Sequence, residues 1–190
     1  MAEKLGYERT RSRLFDSRQE VAMLLWDDES AGWDSLISGM SGEKRRELAL
    51  RGVEEAVESF HPSFEASFSA HTVSFIRDAL RDFRANLRNP GLSVAVRDEE
   101  GFFDVLHDLV GEDPAPGLAA LVMAVSEYAD CLRNRPLGSR EVLGILSSCY
   151  EAILNEERIP RVTPDAERAN ENCRRALDKQ RDLVIDFSGR

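Results

Sequence analysis

The seven prolines of this chain divide it into segments, and the segments between them have the periodicity of α-helices. Proline lacks the backbone N–H that a helix interior needs, so it stands at the ends of helices. Between the prolines, apolar residues recur at intervals of three and four positions, which is the spacing of one helix face. This pattern predicts helices over residues 7–26, 42–60, 63–88, 98–111, 115–133, 139–157 and 164–187, with a short turn near 33–38. The predicted fold class is therefore all-α.

The segment 115–133 is the most apolar of these helices. Apolar residues cover most of its circumference, and its polar arc contains only Ser126, Glu127, Asp130 and Arg133. A helix that is apolar on most sides lies in the centre of a bundle. The chain has no internal repeat and no linker long enough to divide it, and 190 residues usually make one domain. We therefore expect residues 1–190 to form a single-domain bundle of about seven helices around the central apolar helix 115–133.

The charge balance of the chain limits its partners. There are 35 acidic residues against 25 basic ones, which gives a net charge of −10. Nucleic acids and anionic membranes attract positively charged surfaces, so neither is an expected partner. An acidic surface is compatible with a basic protein partner.

The cysteines and the first residues indicate the compartment. Cys131, Cys149 and Cys173 lie among apolar residues without any Cys-x-x-Cys spacing, which predicts reduced thiols in the core. The first residues contain no apolar region typical of a signal peptide, and no apolar run reaches the length of a membrane span. The expected localisation is cytoplasmic.

The acidic residues are concentrated in the segment 98–113, which has seven carboxylates and one histidine but no lysine or arginine. On a helical wheel its apolar residues share one face, and the opposite face contains Glu100, Asp104, His107 and Asp108. Two aspartates four positions apart repel each other mildly, so folding gains nothing from this excess. We expect Glu100, Asp104 and Asp108 to contact a basic protein partner. The alternative is that they form the solvated side of a helix.

The sequence WDDESAGWD is a second candidate contact surface. Two tryptophans and four carboxylates make up this candidate: Trp26, Asp27, Asp28, Glu29, Trp33 and Asp34. Tryptophan is enriched in the residues that dominate binding energy at interfaces, and the acids would again select a basic partner. The alternative is that both tryptophans pack into the core at the corner between the first helices.

A metal site is a possible alternative function. Glu58 with His61, and Asp104 with His107, have the acid-x-x-His spacing that helical di-metal bundles use. Against it, an aspartate replaces one of the required glutamates, and Pro62 ends the helix directly after His61. The chain has no nucleophile elbow and no glycine-rich phosphate loop, so we expect no catalytic residues and no cofactor.

Four arginines form a stripe on the predicted helix 63–88: Arg77, Arg81, Arg84 and Arg88. Such a stripe could bind phosphate groups. On a chain with a large acid excess, we expect it instead to pair with nearby carboxylates.

Three segments carry a resemblance to known proteins: EVAMLLWDDESAGWDSL, ALVMAVSEYADCL and ENCRRALDKQRDLV. In these segments the chain resembles the small all-helical immunity proteins that are encoded beside bacterial polymorphic toxins, and a related uncharacterised family of all-helical bacterial proteins. The resemblance implies a non-enzymatic protein that binds and neutralises a toxin, and it supplies no catalytic residues. A scaffold or regulatory protein without chemistry is a further alternative.

Overall fold

The computed structural model describes residues 24–89, 101–133 and 136–189. These three ranges contain ten α-helices and no β-strand, so the all-α prediction is confirmed, with ten helices in place of about seven. The helices are α1 (Leu25–Glu29), α2 (Trp33–Ser38), α3 (Gly42–Ser59), α4 (Phe64–Ser67), α5 (Ala70–Arg88), α6 (Phe102–Glu112), α7 (Leu118–Arg133), α8 (Ser139–Glu156), α9 (Pro164–Ala169) and α10 (Glu171–Ser188).

Two of the predicted helices are each divided in the structure by a capping residue. Ser69 lies between α4 and α5, and its side chain accepts a hydrogen bond from the backbone N–H of Thr72. Asn170 lies between α9 and α10 and accepts in the same way from the N–H of Cys173, at 2.9 Å. Both residues have extended backbone conformations and begin a new helix. The predicted helix 7–26 lies outside the described residues except at its end.

The core of the bundle is shared by α7 and α8. Nine residues of α7 are buried, in agreement with its predicted central position. The neighbouring helix α8 packs against four elements, namely α2, α3, α7 and α10. Gly52 of α3 permits one of these contacts, because a Cβ atom there would lie 2.5 Å from the Leu146 side chain of α8. The buried side chains form one continuous hydrophobic cluster.

The start of α7 is determined by Gly117. Its φ angle is +85°, a left-handed conformation that side chains other than glycine rarely adopt. A Cβ atom at this position would also collide with the backbone carbonyl of Ala152 in α8. Glycine is therefore required both for the turn and for the close approach of α7 to α8.

A buried polar network holds α1 against the end of the chain. The carboxylate of Glu167 in α9 is fully buried and accepts hydrogen bonds from the Leu25 backbone N–H, at 3.1 Å, and from the Tyr150 hydroxyl, at 2.5 Å. In α10, Gln180 accepts from the Trp26 indole and donates to the carbonyl of Leu146, each at 2.8 Å. These bonds join α1 to α8, α9 and α10.

In the part of the chain that the structure describes, no helix has both the length and the apolar composition needed to cross a membrane.

Candidate functional site

The helix α6 is amphipathic, and its polar face contains the first candidate site. Phe102, Leu106 and Leu109 are buried against the core, and α6 packs on α7. Asp104 and Asp108 are exposed, and neither forms an ion pair or a hydrogen bond among the described residues. We call these two aspartates the acid face of α6. The third predicted member, Glu100, lies outside the described residues.

The last two acids of the same stretch contribute to the fold. The Glu112 carboxylate lies 3.0 Å from Nδ1 of His71, near the start of α5. Asp113 accepts a hydrogen bond of 2.6 Å from the backbone N–H of Ser69. The acidic stretch therefore has two parts: its C-terminal residues hold the start of α5, whereas the acid face of α6 remains in solvent.

The two tryptophans of the second candidate surface are core residues. Trp26 and Trp33 are 7% and 5% exposed, and their rings pack edge to face with centroids 6.0 Å apart. The indole N–H of Trp26 is also satisfied inside the protein, by Gln180. The alternative interpretation is therefore the correct one: both rings hold the corner between α1 and α2 in the core. This corrects their assignment to a contact surface.

Three of the four carboxylates at this corner also have partners within the protein. Asp27 accepts from the backbone N–H of Leu24 at 2.9 Å. Asp28 lies 3.5 Å from a guanidinium nitrogen of Arg168 in α9, and Glu29 lies 2.6 Å from one of Arg181 in α10. The fourth, Asp34, is exposed on α2. These acids mainly attach the α1–α2 corner to the final two helices.

Three of the four arginines in the predicted stripe, Arg77, Arg81 and Arg84, pair with carboxylates, as expected, whereas Arg88 is exposed. Arg77 donates to Glu58 of α3 at 2.7 Å and to Glu65 of α4 at 2.5 Å. Arg84 forms ion pairs with Glu47 and Glu54 of α3. We call these two arginines with their four glutamates the arginine seam.

Electrostatics within the seam agree with this geometry. The hydrogen bond from Arg77 holds the pKa of Glu65 below its ordinary value, and the bond to Glu58 is the main factor that raises the pKa of Arg77. The charges of Arg77 and Arg84 are thus paired within the fold.

The residues of the predicted metal site do not meet. Glu58 is engaged by Arg77, and His61 is exposed beyond the end of α3. Across the described ranges, no group of three or more histidine, cysteine, aspartate or glutamate side chains could hold a metal ion. The structure therefore does not combine Glu58 and His61 with Asp104 and His107 in one site.

The cysteines are free thiols, as predicted. Cys149 and Cys173 are buried, and Cys131 is half-buried. Burial raises the pKa of Cys173 to about 11 and also raises that of Cys149. Because the thiolate is the nucleophile, neither buried residue is suited to covalent catalysis at neutral pH.

The sequence analysis missed one surface residue, Met123 of α7. It is 65% exposed, more than any other large apolar side chain that the structure describes. Met123 stands on the polar arc of α7, since it precedes Ser126, Glu127 and Asp130 by three, four and seven positions. The sequence did contain a signal for this exposure, because Met123 is an apolar residue within the polar arc of its helix. It borders a groove between α6 and α7 with a volume of about 500 Å³.

No protein-family model, no curated protein and no solved structure matches this chain. The fold and the site define an all-α bundle with an exposed acidic helix face. The residues of this face are therefore the basis for a functional proposal.

Proposed function

We propose that this chain is a non-enzymatic protein-binding domain that captures a basic protein partner through the acid face of α6. The observation that carries the proposal is the exposure of Asp104 and Asp108, to which no cation of the described ranges 24–89, 101–133 and 136–189 is paired. Glu112 and Asp113, later in the same acidic stretch, are already used at the start of α5. Asp104 and Asp108 have no such partner in the part of the chain that the structure describes, so they are available to an external cation.

The particular type that we propose is an immunity protein, which neutralises a bacterial toxin in the cytoplasm. The resemblance of the three sequence segments supports this type, and the acid face supplies a suitable surface. An exposed acidic surface accelerates the encounter with a basic partner, because long-range attraction steers diffusion. The toxin domain would therefore carry a basic patch.

The test measures the association rate between the purified chain and the purified product of a toxin gene next to its own. The double variant Asp104→Asn/Asp108→Asn should associate about tenfold more slowly at low ionic strength. The difference should shrink between about 0.01 M and 0.15 M salt, because screening shortens the reach of exposed charges.

A matched control removes the same net charge elsewhere. Asp165 and Glu171 are exposed acids on α9 and α10, so Asp165→Asn/Glu171→Gln changes the total charge without touching α6. This control should associate at close to the native rate. Equal slowing by both double variants would mean that only net charge matters. A neighbouring toxin that does not bind at all would contradict the immunity type.

A further inference from the structure

The groove between α6 and α7 lies beside the acid face and has an apolar floor. Its walls are formed by Phe103, Leu106, His107, Val122, Met123, Ser126, Glu127 and Asp130. Leu106 and Val122 are buried at its base, whereas Met123 and His107 are exposed at its edge. We call this feature the α6–α7 groove. Its volume of about 500 Å³ falls in the range of natural binding sites.

The exposure of Met123 is not required by the fold. Methionine is flexible and polarizable, and it is used frequently on surfaces that accept the apolar face of another helix. At 65% exposure, Met123 leaves most of its side chain in water, and it lines the same groove as Phe103. An apolar side chain next to an apolar groove has a use when a partner covers both.

The dimensions of the groove suit an α-helix. The lining residues of α7 extend from Val122 to Asp130, which corresponds to about 12 Å along the helix axis. About two turns of a docked helix would cover that length, with apolar side chains at positions i and i+4 directed to the floor.

The charges of the groove select a basic occupant. The charged residues among its lining are Glu127 and Asp130, and the described lining contains no lysine or arginine. One cation stands at an end of the groove, where the Arg133 guanidinium lies 5.8 Å from the centre of the Phe103 ring. Across α6, the exposed face continues to Asp104 and Asp108. Glu127 and Asp130 already have interactions within the protein, so the attraction for a positively charged helix comes from the two aspartates of the acid face.

We infer that the α6–α7 groove binds a basic amphipathic α-helix of the protein partner, with its apolar stripe on Met123 and Phe103 and its lysine or arginine side chains toward Asp104 and Asp108. This inference rests on the proposed function, because it states which part of the basic partner occupies the site.

The experiment uses a synthetic helical peptide of about 14 residues, which is about four turns, with leucines spaced three and four apart and lysines elsewhere. Binding to the full chain is measured by fluorescence anisotropy of the labelled peptide, and its location by the NMR signals of ¹³C-labelled methionine methyl groups. The Met123 methyl signal should shift and saturate with the anisotropy. A peptide with glutamates in place of the lysines, and one with the same residues in a non-amphipathic order, should bind at least tenfold more weakly.

Two matched variants test the apolar contact that Met123 provides at the edge of the groove. Met123→Glu places a charge in the groove and should weaken peptide binding at least tenfold. Ile185→Glu makes the same kind of change at another exposed apolar residue, on α10, which is 41% exposed, and it should leave affinity within about twofold of native, as for a surface change away from the site. Both side chains are solvent-accessible, so both variants should fold, and circular dichroism verifies this.

Several outcomes would overturn the inference. These are a Met123 signal that does not move at saturation, equal losses in the two glutamate variants, and a Met123 shift that depends on the concentration of the chain alone, which would assign the groove to a second copy. Displacement of the probe by an equimolar peptide of residues 1–23 would assign the groove to the chain's own first segment.

The inference and the proposed function can fail separately. If Asp104→Asn/Asp108→Asn slows capture of the toxin while Met123→Glu changes neither toxin nor peptide binding, the acid face functions without the groove. If the probe binds at Met123 and no basic protein partner is sensitive to the acid face, the proposed function fails.

Discussion

The arginine seam and the acid face of α6 are two acidic regions of one molecule with opposite relations to the fold. In the seam, Arg84 is only 21% exposed and holds two glutamates of α3, themselves 31% and 25% exposed. On α6, two exposed aspartates lie four residues apart, and no described residue forms an ion pair with either of them. Acidic residues alone therefore do not indicate a binding surface. What distinguishes the two regions is whether another helix supplies the positive charge.

The largest effect is expected when the seam loses its central cation. Arg84→Met keeps most of the side-chain volume but removes the cation that pairs with both half-buried Glu47 and Glu54, and Glu54 keeps only its longer contact of 3.6 Å with Arg51 among the described ion pairs. We expect a loss of about 2 kcal/mol in the free energy of unfolding, below the cost of breaking a fully buried pair. Urea denaturation measures it. As a control, Arg81→Met removes an arginine that is 69% exposed and pairs with Asp78, and it should cost less than about 0.5 kcal/mol. Similar losses in both variants would refute the distinction.

A second change gives the acid face of α6 a positive charge of its own, as the arginine seam has. Gly111 lies in α6, three residues after Asp108, and a Cβ atom there would meet no other atom. Gly111→Arg should raise the free energy of unfolding by about 1 kcal/mol, because arginine has a higher helix propensity and can pair with Asp108. The same variant should slow capture of a basic partner. Gly111→Ala should also raise the free energy of unfolding but should not slow association with the basic partner. The comparison separates the effect of helix propensity from that of the added charge.

A smaller effect is expected when the acid face itself is neutralised. Asp104→Asn/Asp108→Asn removes a mild repulsion between exposed carboxylates, and it breaks no ion pair with a residue that the structure describes. The free energy of unfolding should rise slightly or stay the same, within about 0.5 kcal/mol. Thermal unfolding followed by circular dichroism is sufficient. A loss larger than this would mean that the fold uses these acids.

The smallest effect concerns the pH dependence of the seam. Because Arg77 lowers the pKa of Glu65 in the folded state, their pairing stabilises the protein above the ordinary carboxyl pKa. That contribution disappears as the pH falls through the lowered value. NMR titration should therefore find the pKa of Glu65 below that of a free glutamate, and Arg77→Met should raise it. An unchanged titration in the variant would remove Arg77 as the cause.

Helix positions were predictable from the sequence, whereas their interruptions were not. The predicted helix 139–157 and the observed α8 differ by one residue, because periodicity and flanking prolines are local signals. Ser69 and Asn170 were placed inside longer helices, although both residue types favour N-caps. A polar residue within a periodic segment is compatible with either role. Packing of the neighbouring helices determines which one is realised.

Long-range pairing determined which of the candidate site residues remained exposed. Arg84 and Glu47 are 37 positions apart, and Arg181 and Glu29 are separated by 152. Helical periodicity places each residue on a face of its own helix, but it contains no information on which faces meet. For the same reason Glu167, in a first helical turn where acids are common, gave no sign of its burial.

The polar network around Glu167 also has a consequence for synthesis on the ribosome. Leu25 and Trp26 bond to residues 142 and 154 positions later in the chain. At translation rates of about 5–20 residues per second, roughly ten to thirty seconds pass between the synthesis of α1 and that of its last partner. The corner between α1 and α2 is therefore synthesised well before the helices that supply its hydrogen-bond partners. Docking of α1 can therefore be completed only after α9 and α10 have been made, and truncation of α10 would remove the bond from Trp26 to Gln180 while that from Leu25 to Glu167 remains.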